Sequence, residues 1–486
     1  MSTVDEFDGM STGQRIRYFR QRAGMTRPVL GGLVGRSAEW IKAVETDRLL
    51  TPRLPLLVRL AEVLGVDDLA RLTGEQRLTT ATYTRGAHEA LPEVTRALAT
   101  YPVLTSGVTP VAAADLAGRV MRAWELWHGT KRHRTAISGL LPSLLQDAQT
   151  ATRLLDGAER RSALRSLAQT YHLVQLFLSF QPVPELVTLT GDRAFIAAQD
   201  ADDPHAVAAA AWYLNHVFRD ANQQHEARVQ LATDAAGLLS PERDTESRAL
   251  WGLLQLAVAL SHAKIGREGD AWRSWDEADR AAQALPNGYV HPWLLFGRGM
   301  VDAYAITMNT NLVQSRDAIR AADRLDLSAM PSVTRRSFHT IETARAYQQR
   351  REPVATVHLL RKAYDESPDT VRFNLFARSA VTELRERGGS TVRSDVQDLG
   401  QARRRQLTGR NRTHSRGGHV RTRDEPRTLL ASGSVIGQMT ADVALLLALL
   451  LGPPALVLLL PIPRLRHQPR PHPRGRHRRR PQVVTR

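Results

Sequence analysis

The sequence predicts an all-α protein, and three observations support that class. Apolar residues recur at helical spacing through most of the chain before its C-terminal tail, no convincing β-alternation interrupts them, and prolines and glycines separate the helical stretches. A chain of 486 residues is too long for one compact core, so we expect several domains. The expected divisions are a flexible N-terminus over residues 1–10, a five-helix domain over 11–74, a linker with some helix over 75–115, an α-solenoid array over 116–400 and a disordered tail over 401–486.

The net charge of +17 is unevenly spread along the chain. Residues 401–486 hold 18 arginines against three acidic residues, residues 11–53 hold nine basic residues against three acidic ones, and residues 54–400 are close to neutral. A local basic excess in the first domain is what a contact with DNA phosphates requires. The chain has no cysteine, which excludes a disulfide framework, cysteine-ligated zinc and thiol chemistry. We expect a cytoplasmic protein, because the start of the chain carries the acids Asp5, Glu6 and Asp8 and lacks the apolar segment of a signal peptide.

Five short helices are expected between residues 11 and 74. The first carries Ile16 and Phe19 at helical spacing. Thr26 and Ser37 can cap the second and third, because their hydroxyls can accept from the first backbone N–H groups. The turn between these two helices is so short that they must cross steeply. The expected helices are Gly13–Arg22, a short one after Thr26 that Gly35 closes, one from Ser37 to Glu45, Pro55–Leu64 and a short one over Asp67–Leu72.

The run from Thr26 to Glu45, followed by Pro52 and the stretch Leu60–Val66, resembles the Cro-repressor-like (XRE) helix-turn-helix family. The register holds through nearly the whole domain without a gap. The residues on the family's characteristic positions are Thr26, Leu30, Gly35, Ser37, Ile41, Val44 and Glu45. The resemblance implies that this domain binds double-stranded DNA with the helix ending at Glu45 in the major groove.

The resemblance also assigns roles to individual residues. Glu39 can accept from a cytosine amino group, and Lys42 can donate to guanine or to a phosphate. Arg27 stands where the family contacts the DNA backbone, and Arg48 and Arg53 are further phosphate candidates. The positions that match the family's base-reading side chains are Ser37, Ala38, Glu39, Lys42 and Ala43. Since the two alanines have no polar reach, we expect DNA shape to contribute to recognition.

Two further features of this segment concern its folding. In the family an arginine of the first helix pairs with the glutamate that ends the recognition helix, and the resemblance puts Arg20 and Glu45 at those positions. Gly31 and Gly32 depart from the family pattern, because alanine or a longer residue is usual there and each glycine costs about 1 kcal/mol of helix propensity. We therefore expect the second helix to be held mainly by packing.

Similar segments recur through the middle of the chain at spacings of about 40 to 44 residues. Small residues near their starts, such as Ala227, Ala271 and Ala355, are each followed by another small residue seven or eight positions on, which suits close crossing of neighbouring helices. The period indicates stacked antiparallel helix pairs, and the array resembles degenerate tetratricopeptide repeats. The recurring segments are 186–204, 226–241, 270–286, 314–331 and 354–368.

A solenoid offers a groove for a peptide or protein segment, so we expect the array to bind an effector and to support dimerisation. Aromatic residues and histidines in the array are interpreted as repeat core or surface rather than ligands. The aromatic residues are Trp124, Trp127, Trp212, Tyr213, Phe218, Trp251, Trp272, Trp275, Tyr289, Trp293 and Phe296, and the histidines are His172, His205, His216, His225, His262 and His291. The basic run 131–134 is interpreted as a solvated loop. No phosphate-binding glycine loop, metal-spaced ligand set or nucleophile elbow occurs, so we expect no enzymatic activity, no cofactor and no metal.

After about Asp398 the composition changes to arginine and proline without a single lysine. Residues 443–460 form an apolar run close to the minimum length for a membrane span, and Pro453 and Pro454 would break a helix there. Three interpretations stay open: a disordered or non-homologous end, a membrane anchor, and a basic tail that contacts DNA.

Together these patterns predict a transcriptional regulator. Its first domain is expected to bind operator DNA as part of a homodimer, and its array an unidentified effector such as a peptide or protein. The alternative is a protein-interaction scaffold with a vestigial helix-turn-helix, tethered to a membrane through its C-terminal apolar run. Membrane association is not part of the leading prediction.

Overall fold

The predicted all-α class is confirmed. The residues that the computed structural model describes are 7, 9–74, 85–103, 108–221 and 224–408. Every regular element in these ranges is a helix. No helix in this part of the chain is long and apolar enough to cross a membrane. The predictions for the tail beyond residue 408, including those for the apolar run, lie outside the described residues.

Five helices make up the first domain, as expected from the caps and apolar spacing in the sequence. They are α1 Thr12–Arg22, α2 Arg27–Leu33, α3 Ala38–Glu45, α4 Leu54–Leu64 and α5 Leu69–Thr73. The Thr26 hydroxyl accepts from the Val29 N–H at 3.4 Å, and the Ser37 hydroxyl accepts from the Trp40 N–H at 3.0 Å. Each cap therefore satisfies a backbone donor at the start of its helix.

The core of this domain extends further toward the N-terminus than predicted. Ile16, Leu30 and Ile41 are fully buried at its centre. Phe7 is only 6% exposed and packs on the same core, with its ring 5.4 Å from that of Phe19. The structure thus differs at Phe7 from the expected flexible N-terminus, because one large apolar side chain just before α1 is enough to fold the chain back onto the core.

Seventeen further helices follow within the described ranges. They are α6 Leu91–Ala99, α7 Ala113–Gly129, α8 His133–Ser138, α9 Leu141–Leu154, α10 Gly157–Leu178, α11 Pro184–Asp200, α12 Pro204–Ala221, α13 His225–Gly237, α14 Thr245–Ile265, α15 Glu268–Gln283, α16 Arg298–Asn311, α17 Ser315–Arg324, α18 Val333–Gln349, α19 Pro353–Glu366, α20 Pro368–Phe373, α21 Leu375–Arg387 and α22 Arg393–Thr408. Five successive pairs, from α10 with α11 to α18 with α19, pack on each other across short connections. The five recurring segments in the sequence correspond to the second helix of each pair.

The small residues at the starts of these segments do not share one environment. Ala271 is fully buried, as expected for a close helix crossing. Ala355 is half-buried and Ala227 is exposed, so the expectation is wrong for Ala227. Spacing along one helix cannot show which face its neighbour covers.

Early helices of the array contact late ones directly. The His128 ring on α7 lies with Nδ1 3.0 Å from the Ser332 hydroxyl and Nε2 3.0 Å from the Trp293 carbonyl oxygen. Lys131 Nζ donates to the Asp365 carbonyl at 2.8 Å. These contacts join α7 and the turn after it to segments near the start of α16, the start of α18 and the end of α19.

The basic run 131–134 is a correction to the sequence interpretation. Arg134 is 5% exposed, and its backbone N–H donates to Asp369 Oδ2 at 3.1 Å. Its guanidinium lies over the rings of Trp127, at 5.4 Å, and Phe373, at 4.7 Å. Part of the run thus joins α8 to α20, and local charge alone could not reveal a partner so distant in the chain.

Aromatic rings and histidines stack inside the array. The ring centroids of His172 and Tyr213 are 4.6 Å apart, and those of Trp124 and Trp293 are 5.0 Å apart. Burial lowers the pKa of His172 to about 3 and that of His128 to about 4. Among the other predicted core aromatics, Trp127, Trp212 and Phe296 are buried, and Trp251, Trp272, Trp275 and Tyr289 pack at its edge. The side chain of Phe218 lies outside the described residues. His291 is also buried, whereas His205, His216, His225 and His262 are half-buried.

Candidate nucleic-acid interface

A buried carboxylate fixes α3 relative to α1 and α2. Glu45, the last residue of α3, has no exposed side-chain surface and accepts from Arg20 Nε at 2.5 Å and from Arg27 Nε at 2.8 Å. Arg20 also donates to the Met25 carbonyl at 2.8 Å, in the turn that leads into α2. A charge withdrawn from water needs such partners, so these contacts hold three helices in one arrangement. The family resemblance anticipates a pair between Arg20 and Glu45 but not the second arginine.

Arg27 is both paired with a buried residue and partly exposed. Its Nε is engaged by Glu45, while a third of its side chain stays exposed beside the start of α3. The predicted contact with a DNA phosphate is compatible with that exposure. Replacing Arg27 would disturb both the domain and any phosphate contact, so it is a poor single test of DNA binding.

The third helix has one buried face and one exposed face. Ile41 and Val44 face the core, whereas Glu39 and Lys42 are exposed on the other side. Residues i and i+3 of a helix share a face, so these two polar side chains project together. Ala38 is half-buried at the start of the same helix.

Ala43 and Ser37 are less accessible than their predicted roles require. Ala43 is 1% exposed, and its carbonyl accepts from the N–H groups of Arg48 at 2.8 Å and Leu49 at 3.2 Å. In this conformation Ala43 does not reach a base, because the turn that follows α3 folds back at this residue. Ser37 is 6% exposed, with its hydroxyl committed to the helix cap.

The exposed polar residues of α3 share a groove with the start of α2. The groove has a volume of about 490 Å³. Its lining residues are Arg20, Met25, Thr26, Arg27, Pro28, Ala38, Glu39 and Lys42. Three candidate base-reading residues, Ala38, Glu39 and Lys42, and the candidate phosphate contact Arg27 thus lie on one continuous surface.

The basic residues of the domain divide between its surface and its interior. Arg48 and Arg53 are exposed after α3, as the predicted phosphate contacts must be. Arg17 and Arg22 on α1 are also exposed and were not singled out from the sequence. Arg15 is 7% exposed and donates to the Phe7 carbonyl at 2.6 Å and the Met10 carbonyl at 3.2 Å. Counting basic residues therefore overstates the charge that this domain presents to a ligand.

The comparison with known families agrees with this geometry. Residues 12–74 match the sequence model of a family described as a helix-turn-helix domain, and the match spans all five helices α1 to α5. A search of curated proteins finds no match to the chain. Residues 12–74 therefore form a helix-turn-helix domain of the DNA-binding class. Among the described residues, no group of three or more histidine, aspartate or glutamate side chains could hold a metal ion.

Proposed function

We propose that the chain is a sequence-specific DNA-binding transcriptional regulator with an XRE-type domain, and that α3 is its recognition helix. One observation carries the proposal: α3 exposes Glu39 and Lys42 in the groove that Arg27 also lines, while its other face is buried. A single polar face on an otherwise anchored helix is what direct reading of base edges needs.

The size and charge of this surface suit the major groove. An α-helix with its side chains is about 10–12 Å across, and the groove of B-DNA is about 12 Å wide. Lys42 can donate to guanine and Glu39 can accept from cytosine. Arg48 and Arg53 are exposed in the segment between α3 and α4 and can pair with DNA phosphates.

Specificity in a genome requires more contacts than one α3 offers. Two polar side chains read a few base pairs at most, and each wrong base pair costs about 1–3 kcal/mol. We therefore propose a homodimer whose two recognition helices meet half-sites one helical turn apart, about 34 Å along the DNA.

The helical array is proposed to be a tetratricopeptide-like regulatory body without enzymatic activity. Its support is the series of helix pairs and their correspondence with the recurring sequence segments. An effector that binds this part would control DNA binding by the first domain, and we propose that it does so in the cytoplasm. The contacts of His128 with Ser332 and Trp293 cross between early and late helices of the array, and on this ground we place the effector on the outer surfaces of the helix pairs.

Selection from a pool of random-sequence duplexes by the full-length chain tests the proposal. The expected result is enrichment of one motif, with a two-fold repeat if the chain acts as a dimer. Binding whose strength depends on salt but not on sequence would reject sequence-specific regulation. Absence of any DNA binding, both by the full-length chain and by variants that loosen the contacts between its first domain and the array, would favour the scaffold instead.

A further inference from the structure

The segment that follows α3 packs on two different cores. Leu49 packs against the core of the helix-turn-helix domain. Its neighbour Leu50 packs instead against an apolar cluster of the late array helices, which includes Leu360 and Leu399. Adjacent, partly buried residues thus connect the segment after α3 to both apolar cores.

The array also touches the start of the recognition helix. Gly266 ends α14 in a left-handed conformation with φ of +81°. A Cβ placed on Gly266 would lie 2.2 Å from Ser37 Cβ, so the backbone of Gly266 is in direct contact with the residue that caps α3. This contact covers part of Ser37, which is only 6% exposed. Glycine is required here both by its φ and by the lack of space.

A third contact lies at the other end of α3. Arg351 Nη2 donates to the carbonyl oxygen of Thr46, the C-cap residue of α3, at 2.7 Å. Arg351 follows the end of α18 and has a φ of +60°, a conformation that costs a non-glycine residue about 1 kcal/mol or more. Both ends of the recognition helix are therefore held by residues of the array.

We propose that these contacts are autoinhibitory: the array holds the recognition helix in a docked state, and α3 enters the major groove only after it separates from the end of α14. This inference rests on the proposed DNA-binding function. Ser37 and Glu39 are two residues apart, about 3 Å along the helix axis. A groove about 12 Å wide accommodates one helix, so the end of α14 and the base pairs compete for the same end of α3. The apparent affinity for DNA is then reduced by the fraction of molecules in the docked state.

The docked state can be measured without DNA, because the chain has no cysteine of its own. A thiol introduced as Ser37→Cys should react slowly with a maleimide in the full-length chain, whereas Glu39→Cys, two residues away and exposed, should react fast. Arg351→Ala should accelerate labelling at position 37 and leave position 39 unchanged. Arg350→Ala is the matched control, since it removes the same charge one residue earlier from a side chain that pairs with Glu352.

The consequence for DNA binding is measured on the same full-length chains with a fluorescent duplex from the enriched pool. A hydrogen bond of this kind is worth a factor of about three to ten in an equilibrium, so Arg351→Ala should raise the affinity by about that factor. The control Arg350→Ala should lower it slightly or not at all, because it only removes a positive charge. Leu50→Ser, which removes the apolar contact with the array and spares the helix-turn-helix core, should raise the affinity as well.

The outcomes separate this inference from the proposed function. Faster labelling at position 37 together with tighter DNA binding supports autoinhibition. Faster labelling with unchanged or weaker binding in both Arg351→Ala and Leu50→Ser overturns it while leaving DNA binding intact. Fast labelling at position 37 in the unmodified background also overturns it, because the docked state would not be populated. If neither the starting chain nor the released variants bind any duplex, the proposed function fails and the inference fails with it.

Discussion

Glu45 shows how one residue organises the DNA-binding surface. Its carboxylate is fully buried and shared by Arg20 and Arg27, so it determines where α2 and α3 meet. Arg27 in turn lines the groove that contains Glu39 and Lys42. A single buried charge therefore sets the geometry of every candidate DNA contact on this face.

Replacing Glu45 should destabilise the domain far more than replacing an exposed glutamate. Glu45→Ala leaves two arginines around an empty buried position, and we expect a loss of about 3–5 kcal/mol in the free energy of unfolding of α1 to α5. Hydrogen exchange of the amides in these helices measures it. Glu62→Ala is the control, because Glu62 is more than half exposed where it pairs with Arg59, and it should cost less than about 1 kcal/mol. Equal losses in the two variants would contradict the structural role of Glu45.

Sequence patterns were informative about residues that act locally. The N-caps Thr26 and Ser37 lie where their hydroxyl chemistry and the following apolar positions predict them. No pattern in the sequence marks Arg27 as a second partner of Glu45, or indicates the burial of Ala43, because both depend on how neighbouring turns fold back. Ser37 also contacts Gly266, which follows a helix of the array far along the chain, and no sequence pattern marks that contact.

Among the helices, α2 carries two adjacent glycines that have different surroundings. A Cβ on Gly31 would lie 2.7 Å from the Arg36 carbonyl oxygen, so the turn between α2 and α3 passes directly over this position. A Cβ on Gly32 would meet no atom within 4 Å. The departure from the family pattern thus has a packing reason at Gly31 only.

Substituting alanine at these two positions should change stability in opposite directions. Gly32→Ala should stabilise the domain by about 0.4–1 kcal/mol, because alanine favours the helix and restricts the unfolded chain. Gly31→Ala should destabilise it, because backbone atoms cannot easily make room for the new methyl group. Urea unfolding of the two variants is the measurement. Stabilisation by Gly31→Ala would show that the turn between α2 and α3 leaves room for a methyl group at this position.

The five helices of the first domain and the second helix of each array pair could be predicted from the sequence, because their signals are local. Prolines and glycines mark their ends, and the second helix of each array pair has a recognisable small-residue pattern. Contacts between distant helices could not be predicted in this way. The buried Arg134 and the contact of His128 with Ser332 join residues whose partners have no regular spacing in the sequence.

At the level of the whole molecule, buried histidines make the array sensitive to acid. The pKa of His172 is lowered to about 3 and that of His128 to about 4, from an ordinary value of 6.5. Below pH 6.5 these two histidines take up protons in the unfolded chain, whereas in the folded chain they stay neutral down to about pH 4. The stability present above pH 6.5 is therefore lost as the pH falls toward 4, with a slope of about 1.4 kcal/mol per pH unit for each histidine.

The variant His172→Phe tests this pH dependence. The phenyl ring can keep the stack on Tyr213 but cannot take up a proton, so the variant should gain about 1.4 kcal/mol relative to the starting chain between about pH 7.5 and about pH 5.5. Urea unfolding at the two pH values measures the difference. A difference for His172→Phe that is the same at both pH values would contradict the account.

Whether α3 is the recognition helix is decided by the base preference of Lys42→Ala in the full-length chain, determined by selection from random-sequence duplexes. If α3 reads the major groove, this substitution should relax the preference at one or two positions of the enriched motif and leave the others unchanged. Lys362→Ala removes the same charge from an exposed position on α19 and should leave the whole motif unchanged. An identical motif for the starting chain and both variants would contradict the assignment of α3 as the recognition helix.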